Sequence, residues 1–172
     1  MKRFVLVVCI VSLALPAAAM ADGRPIQLSL FDPAQIFGND QAITGLRLNL
    51  IYTKNTDVSG LDVGLVNATS GEFRGLQYGL VGMVDGDAYG WQENFISIVR
   101  GEFQGLQTGF YNEAGVAHGV SFGFINKANH MHGLQLGVVN VTDTARGLQI
   151  GLINIISKKE GLSFLPIVNW QF

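Results

Sequence analysis

The sequence predicts an all-β repeat protein of about ten short strands, and three features of it carry that expectation. The first is a motif restated at a fixed period. Gly147-Leu148-Gln149-Ile150-Gly151-Leu152-Ile153-Asn154 repeats Gly133-Leu134-Gln135-Leu136-Gly137-Val138-Val139-Asn140, fourteen residues earlier. Openings stand 15 residues apart from Gly45 through Gly60, Gly75 and Gly90 to Gly105. They then stand 14 apart through Gly119, Gly133 and Gly147 to a degraded copy at Gly161, nine units in all. Such a period marks an array of one structural unit. The second feature is alternation. The second, fourth and sixth motif residues are apolar (Leu148, Ile150, Leu152), while the third is polar in every unit: Arg47, Asp62, Gln77, Gln92, Gln107, Ser121, Gln135, Gln149 and Ser163. Period-two alternation is a strand signal. The third feature is the polar breaks between motifs, such as Asn67-Ala68-Thr69-Ser70-Gly71 and Asp85-Gly86-Asp87, which read as turns.

Taken in order, residues 1–21 read as a secretory signal peptide. Lys2 and Arg3 form its positive start, residues 4–15 its apolar run, and Ala19-Met20-Ala21 its cleavage site. The run is too short for a membrane-spanning helix. Cys9, the one cysteine, lies inside it, so a mature chain would carry no disulfide and no thiol chemistry. This predicts export beyond the inner membrane of a bacterium. Residues 22–44 form a lead-in: Ile26, Leu28 and Leu30 alternate with Gln27 and Ser29 as one more strand, which Asp32-Pro33 breaks. From Gly45 the nine units occupy residues 45–172 without a linker, and the mature chain counts as one domain.

Only 14% of the chain is charged and 48% is hydrophobic, against about 25% charge in an ordinary soluble domain. The net charge of −2 and the lack of a basic patch leave nucleic-acid binding without an electrostatic footing. Most charges sit in the breaks, as at Glu72 and Arg74 or Arg100 and Glu102. The strands therefore face either lipid, or a core on one side and a partner on the other.

The repeated Gly-Leu-Gln-x-Gly-Leu-x-Asn unit resembles that of the bacterial surface-repeat proteins, over roughly residues 45–172. The match is good at Gly60, Gly105, Gly133 and Gly147. It departs at Gly45 and Gly90, where Asn49 and Asn94 hold the fifth position, and at Gly161. The resemblance implies export and an envelope or surface role, and brings no catalytic or binding residue. The last residues, with Val168, Trp170 and Phe172 alternating to a terminal aromatic, resemble the C-terminal signal of outer-membrane β-barrels. They read equally as a last strand whose aromatic end caps a core.

Two folds accommodate the repeat. In the favoured one, the lead-in strand and nine units make a ten-strand antiparallel up-and-down barrel, with the even strand count that bacterial barrels have. The Leu-Ile-Leu face would meet outer-membrane lipid and the Gly-Gln-Gly face would fill a narrow polar interior. Such a protein would be structural or a narrow pore, and a client of the barrel-assembly machinery. In the alternative, the units stack in parallel as a thin β-solenoid, secreted or periplasmic, that binds partners along a flat β face. Leu148, Ile150 and Leu152 would then lie inside, with Asn112, Asn126, Asn140 and Asn154 in a buried ladder. Ile43, Val58, Phe73, Phe103 and Met131, each two before a motif, would complete the coils. Glu93, on the proposed lipid face, counts against the barrel. The need of so thin a coil to bury five or six side chains counts against the solenoid.

No catalytic residue and no cofactor is expected, and the chain reads as non-enzymatic. The histidines His118, His130 and His132 are the weak metal candidates, since imidazoles suit zinc or nickel. His118 and His132 share a repeat position with Arg74, Gln104 and Arg146, which favours a rim or turn role, and no Asp, Glu or Cys beside them in sequence completes a site. The glycines form no phosphate loop, because no helix or lysine follows. Asn67-Ala68-Thr69 and Asn140-Val141-Thr142 fit a glycosylation pattern that carries little weight in a bacterium.

Overall fold

The computed structural model describes residues 23–32 and 34–172; the expected signal peptide lies outside them. Its strands are β1 (Arg24–Phe31), β2 (Ala34–Gln35), β3 (Ile43–Asn49), β4 (Tyr52–Asn55), β5 (Val58–Thr69), β6 (Phe73–Val84), β7 (Ala88–Ile156) and β8 (Phe164–Gln171). They join in the order β2-β1-β3-β5-β6-β7-β8, with β4 also on β5. The motif-bearing strands are parallel and in register, each glycine beside its equivalent: Gly45 on Gly60, Gly60 on Gly75, Gly75 on Gly90. Within the long ribbon β7 the register continues, since Gly105, Gly119, Gly133 and Gly147 each back onto the glycine carbonyl one period earlier. The protein is a parallel β-solenoid.

The expected antiparallel barrel is therefore wrong. Breaks such as Ser70-Gly71-Glu72 are corners within a coil, not hairpin turns between strands. Every unit runs with the same polarity, and a coil of 14 or 15 residues brings the chain back one strand spacing further along. The tenth strand fails as well. Gly161 opens no coil; the residues after it form β8, which pairs antiparallel with the last coil, Leu148 opposite Trp170 and Ile150 opposite Val168.

Inside each coil the side chains form columns. The residue two before the motif is fully apolar and buried: Ile43, Val58, Phe73, Ala88, Phe103, Ala117, Met131 and Ala145. From Phe73 onward it alternates large and small, as it must when equivalent side chains lie about 4.8 Å apart and a phenyl needs the space of its neighbour. Two residues beyond the motif a second column holds Val84, Val99, Ala114, Ala128 and Ile156, all buried. Between these apolar walls lie the third-position polar residues and the eighth-position asparagines, with glycine at the fifth position.

Both motif glycines have a steric cause. Gly105 opens its unit at φ 138, and a Cβ there would stand 2.0 Å from the Gly90 carbonyl oxygen. The fifth position faces inward, where Asn amides fill the space: a Cβ on Gly137 would stand 2.6 Å from Asn126 Nδ2. Where the repeat departs from pattern, the amide has changed place. Asn94 occupies the fifth position, Ser97 the eighth, and Asn94 Nδ2 donates to Ser97 Oγ at 3.1 Å. In the preceding coil Gly82 leaves room, since a Cβ there would meet Asn94 Nδ2 at 2.4 Å. Asn49 likewise fills the space beside Gly64. The change of period has a local origin too. Three-residue corners (Ser70-Gly71-Glu72, Arg100-Gly101-Glu102) give way to two-residue ones (Gly115-Val116, Asn129-His130), while the buried columns stay in register.

Both ends are covered. β2 pairs antiparallel with β1, and the buried Gln27 exchanges hydrogen bonds with the Phe37 backbone, at 2.8 Å to the carbonyl and 3.0 Å from the amide. β8 covers the other end with Asn169 buried opposite Gln149. The terminal aromatics do not cap the core: Trp170 is half exposed and Phe172 is 93% exposed.

A one-dimensional stack tolerates loss of a whole unit but not of part of one. Deleting residues 119–132 joins His118 to Gly133 and keeps every column in register, at the cost of setting Ala117 beside Ala145 where Met131 stood. That variant should keep the strand signature by circular dichroism and a single cooperative melt, at lower Tm. Deleting residues 119–125 alone should abolish the melt. Equal damage by the two deletions would contradict independent coils.

Candidate functional site: an exposed apolar face over an amide-lined interior

The two faces of the motif are placed as the barrel required, although the topology is that of the solenoid. The polar third-position residues are buried, and the Leu-Ile-Leu face expected inside a solenoid points outward. A run of buried amides is possible because each carries both donor and acceptor and can bond its own equivalent in the next coil. The Gln ladder donates toward the N-terminus: Gln107 Nε2 to Gln92 Oε1 at 2.9 Å, Gln92 to Gln77 at 3.0 Å, Gln77 to Asp62 Oδ2 at 2.9 Å. It ends on a buried carboxylate that Arg47 grips with two bonds of 2.7 Å, a fully buried ion pair. The Asn ladder donates the other way, Asn112 to Asn126 at 2.9 Å, Asn126 to Asn140 at 2.9 Å, Asn140 to Asn154 at 2.8 Å. Each also reaches a backbone carbonyl, as Asn126 does at Leu136. Asn67 and Asn140 are fully buried, which removes them as glycosylation acceptors.

The outward residues form three columns along the solenoid. The second-position column runs Ile26, Leu46, Leu61, Leu76, Trp91, then Leu106 to Leu148, and ends on Trp170 of β8. The sixth-position column includes Leu50, Leu65, Leu80, Phe95, Phe110, Phe124 and Leu152, all exposed, Leu152 by 68%. Phe95, Phe110 and Phe124 stack on one another at 5.0 Å between ring centroids. Between the fourth and sixth columns runs a shallow groove, seen at Leu28–Leu30–Leu48–Leu50, again at Tyr78–Leu80–Phe95–Phe110, and at Leu136–Val138–Ile150–Leu152. Its floor is the fifth-position backbone, including Gly79, Gly109, Gly137 and Gly151. Ten strands at about 4.8 Å and three columns at about 6.6 Å give a face of roughly 45 by 15 Å, on the order of 700 Å². The largest apolar patch of an ordinary monomer is about 300–600 Å².

One charge interrupts these columns. Glu93 is exposed at the centre of the fourth, beside Thr108, whose hydroxyl accepts from Trp91 Nε1 at 3.2 Å. The remaining surface charges lie beyond the face, and several are paired: Arg74 with Glu72, Arg100 and Lys54 with Asp85, Lys127 with Glu113, Lys158 with Asp143. Burial and the Glu113 carboxylate push the Tyr111 hydroxyl up to about 12. Burial alone would raise Glu113, but hydrogen bonds from Lys127 and Tyr111 outweigh it and hold the carboxyl low.

The histidines sit as the solenoid reading requires. His118 and His132 are immediate neighbours, rings edge to face at 4.4 Å, rather than at opposite rims of a barrel. Glu102 lies 3.6 Å from His118 Nε2, a carboxylate that sequence spacing did not reveal, and His130 contacts Thr144 Oγ1 at 2.7 Å instead of joining the pair. Among the described residues no group of three or more His, Cys, Asp or Glu is placed to hold a metal ion. Sequence reasoning also missed the Arg47–Asp62 pair; its one signal was opposite charge at the third position of consecutive units.

The fold and face together define a class: a capped parallel β-solenoid with a polar, amide-laddered interior and an apolar exterior. Comparison with protein-family models, with curated proteins and with solved structures finds no match. The likeness to surface-repeat proteins rests on the motif itself.

The Gln ladder is broken once, at Ser121, too short to bridge its neighbours. Gln135 Nε2, which would donate to that position, is left without a partner, while Gln149 Oε1 is free only because the ladder ends there. S121Q should restore the run and add about 1–2 kcal/mol, read as a Tm rise of roughly 2–8 °C; an unchanged or lower Tm would count against an energetic role for the ladder.

Partial burial lowers the His132 pKa, and His118, Arg146 and His130 add to the effect against an opposing pull from Glu102. The unfolded chain thus takes up this proton more readily. The contribution to stability is complete above about pH 6.5 and is lost as pH falls through the lower folded value. H132Q, which copies Gln104 two column positions away, should flatten the pH dependence of Tm between pH 7 and 5. A variant as acid-sensitive as the wild type would rule the residue out.

Proposed function

We propose that this chain is an exported, non-enzymatic protein of the bacterial envelope or cell surface, and that its solenoid is an interaction module. The observation that carries the reading is the exposed three-column apolar face. Leucine and phenylalanine run unbroken along the sixth-position column from Leu50 to Phe124, about 24 Å at about 4.8 Å per strand, held rigid by laddered strands and open to solvent. Leu80, Phe95, Phe110 and Phe124 contribute nothing to the interior, and a large exposed apolar patch marks a binding surface. The sparse charge, 14% of the chain at a net −2, gives no purchase for a nucleic acid. The signal-like residues 1–21 and the surface-repeat motif support export.

Cell fractionation tests this reading. The wild-type chain should stay with the particulate envelope fraction and be released by detergent. The double variant L80D/F110D, altered only at exposed positions, should be soluble with an unchanged circular dichroism spectrum. If wild type and variant distribute alike, the face is not a docking surface.

A further inference from the structure

We infer that the occupant of the apolar face is a lipid surface, against which the solenoid lies flat with its long axis in the membrane plane; this rests on reading the face as a docking surface. The shape of the apolar region selects the partner. It does not stop at the flat face. At the sixth and seventh positions two consecutive residues point outward, and the surface turns a corner onto a second side lined by Val66, Val81, Ile96, Ile125 and Val139, with Ile153 more exposed and Tyr111, bonded to Glu113, in its middle. A second copy docked on the flat face would leave this flank bare. A fluid acyl layer covers both sides of the corner at once.

Three further observations agree. Along the face the backbone bonds of each coil are made to the next coil, so no unpaired amide or carbonyl enters hydrocarbon except at the two capped ends. Trp91 and Trp170 are 40% and 48% exposed, and both belong to the second-position column. That column borders the side carrying Arg74, Gln104, His118, His132 and Arg146, so the indoles lie at the boundary between apolar and charged surface, where tryptophan sits in membranes. Lys159 stands over the Trp170 ring at 5.1 Å on the same boundary. The groove between the fourth and sixth columns is about 6.6 Å across and floored by backbone, a bed for an extended hydrocarbon chain. Depth is limited to the interfacial 5–10 Å or so of a surface-bound amphipathic element. The net charge of −2 supplies no attraction for anionic headgroups, so binding is driven by apolar contact. Glu93 opposes it, being the one carboxylate on the face.

Vesicle flotation with the full mature chain decides the matter, using phosphatidylcholine vesicles and vesicles containing one-third phosphatidylglycerol, at low and high salt. The wild type should float with both, within a factor of three of each other and without loss at high salt, and Trp fluorescence should shift to the blue. F110D and L80D should each weaken partitioning at least tenfold, E93L should strengthen it several-fold, and S157D, on the charged side, should leave it unchanged. Binding only to the anionic vesicles, lost at high salt, would overturn the inference. So would absence of flotation. If a chain that does not float forms a dimer that L80D dissociates, the face is an interface between copies and the broader docking reading survives. If it is monomeric and its fractionation ignores L80D/F110D, both readings fall.

Discussion

Everything in this protein depends on one constraint: a parallel in-register stack places every residue about 4.8 Å from its own equivalent. A column can therefore hold only what tolerates a copy of itself. Amides do, because each donates to the next and accepts from the last, and the Gln and Asn ladders are the result. In the confined interior from Phe73 onward, large apolar groups alternate with small ones, as in Phe73, Ala88, Phe103, Ala117, whereas on the open face Phe95, Phe110 and Phe124 stack in succession. Buried like charges do not. Among the described residues, the single place where charge enters the interior, Arg47 beside Asp62, is a place where consecutive units carry opposite signs.

The same constraint explains an interior more polar than the exterior. A coil this thin has no room for a conventional core on all sides. Short inward side chains must fill it, and backbone must come close enough to exclude Cβ atoms, as at Gly105 and Gly137. Asparagine at the eighth position reaches over glycine at the fifth, so that one residue fills the space of two. The units that break the pattern preserve the volume: Asn94 with Ser97, and Gly82 beside them, relocate the amide without losing it. Alternation then forces the motif's leucines and phenylalanines outward. The apolar face is thus coupled geometrically to the amide interior.

Regularity of this kind needs ends. A parallel stack leaves an open row of backbone groups at each terminus, which invites further strands. The molecule answers with antiparallel pieces that break the register, β2 over the first coil and β8 over the last. Pro166 fits within β8 because an edge strand does not need every donor.

The all-β class, the unit, its period and the residues belonging to one column were legible in the sequence, because period-two alternation and 14- or 15-residue spacing are local properties of the chain. The buried residues two before each motif and the Asn ladder were legible as well, as consequences of stacking. The direction in which strands pair is not local. An antiparallel barrel and a parallel coil accept the same alternation, and they differ only in which distant residues meet. His118 against His132, Arg47 against Asp62 and the antiparallel turn of the chain after Gly161 exist only once that choice is made. Which face is inside was tied to the same choice: the barrel put the amide face inward, while the coil, on hydropathy alone, sent leucine inward and glutamine outward. The narrowness of the coil, a property of the folded cross-section, reversed that order: it admitted the side chains that hydrogen-bond their own copies and put those that cannot on the surface.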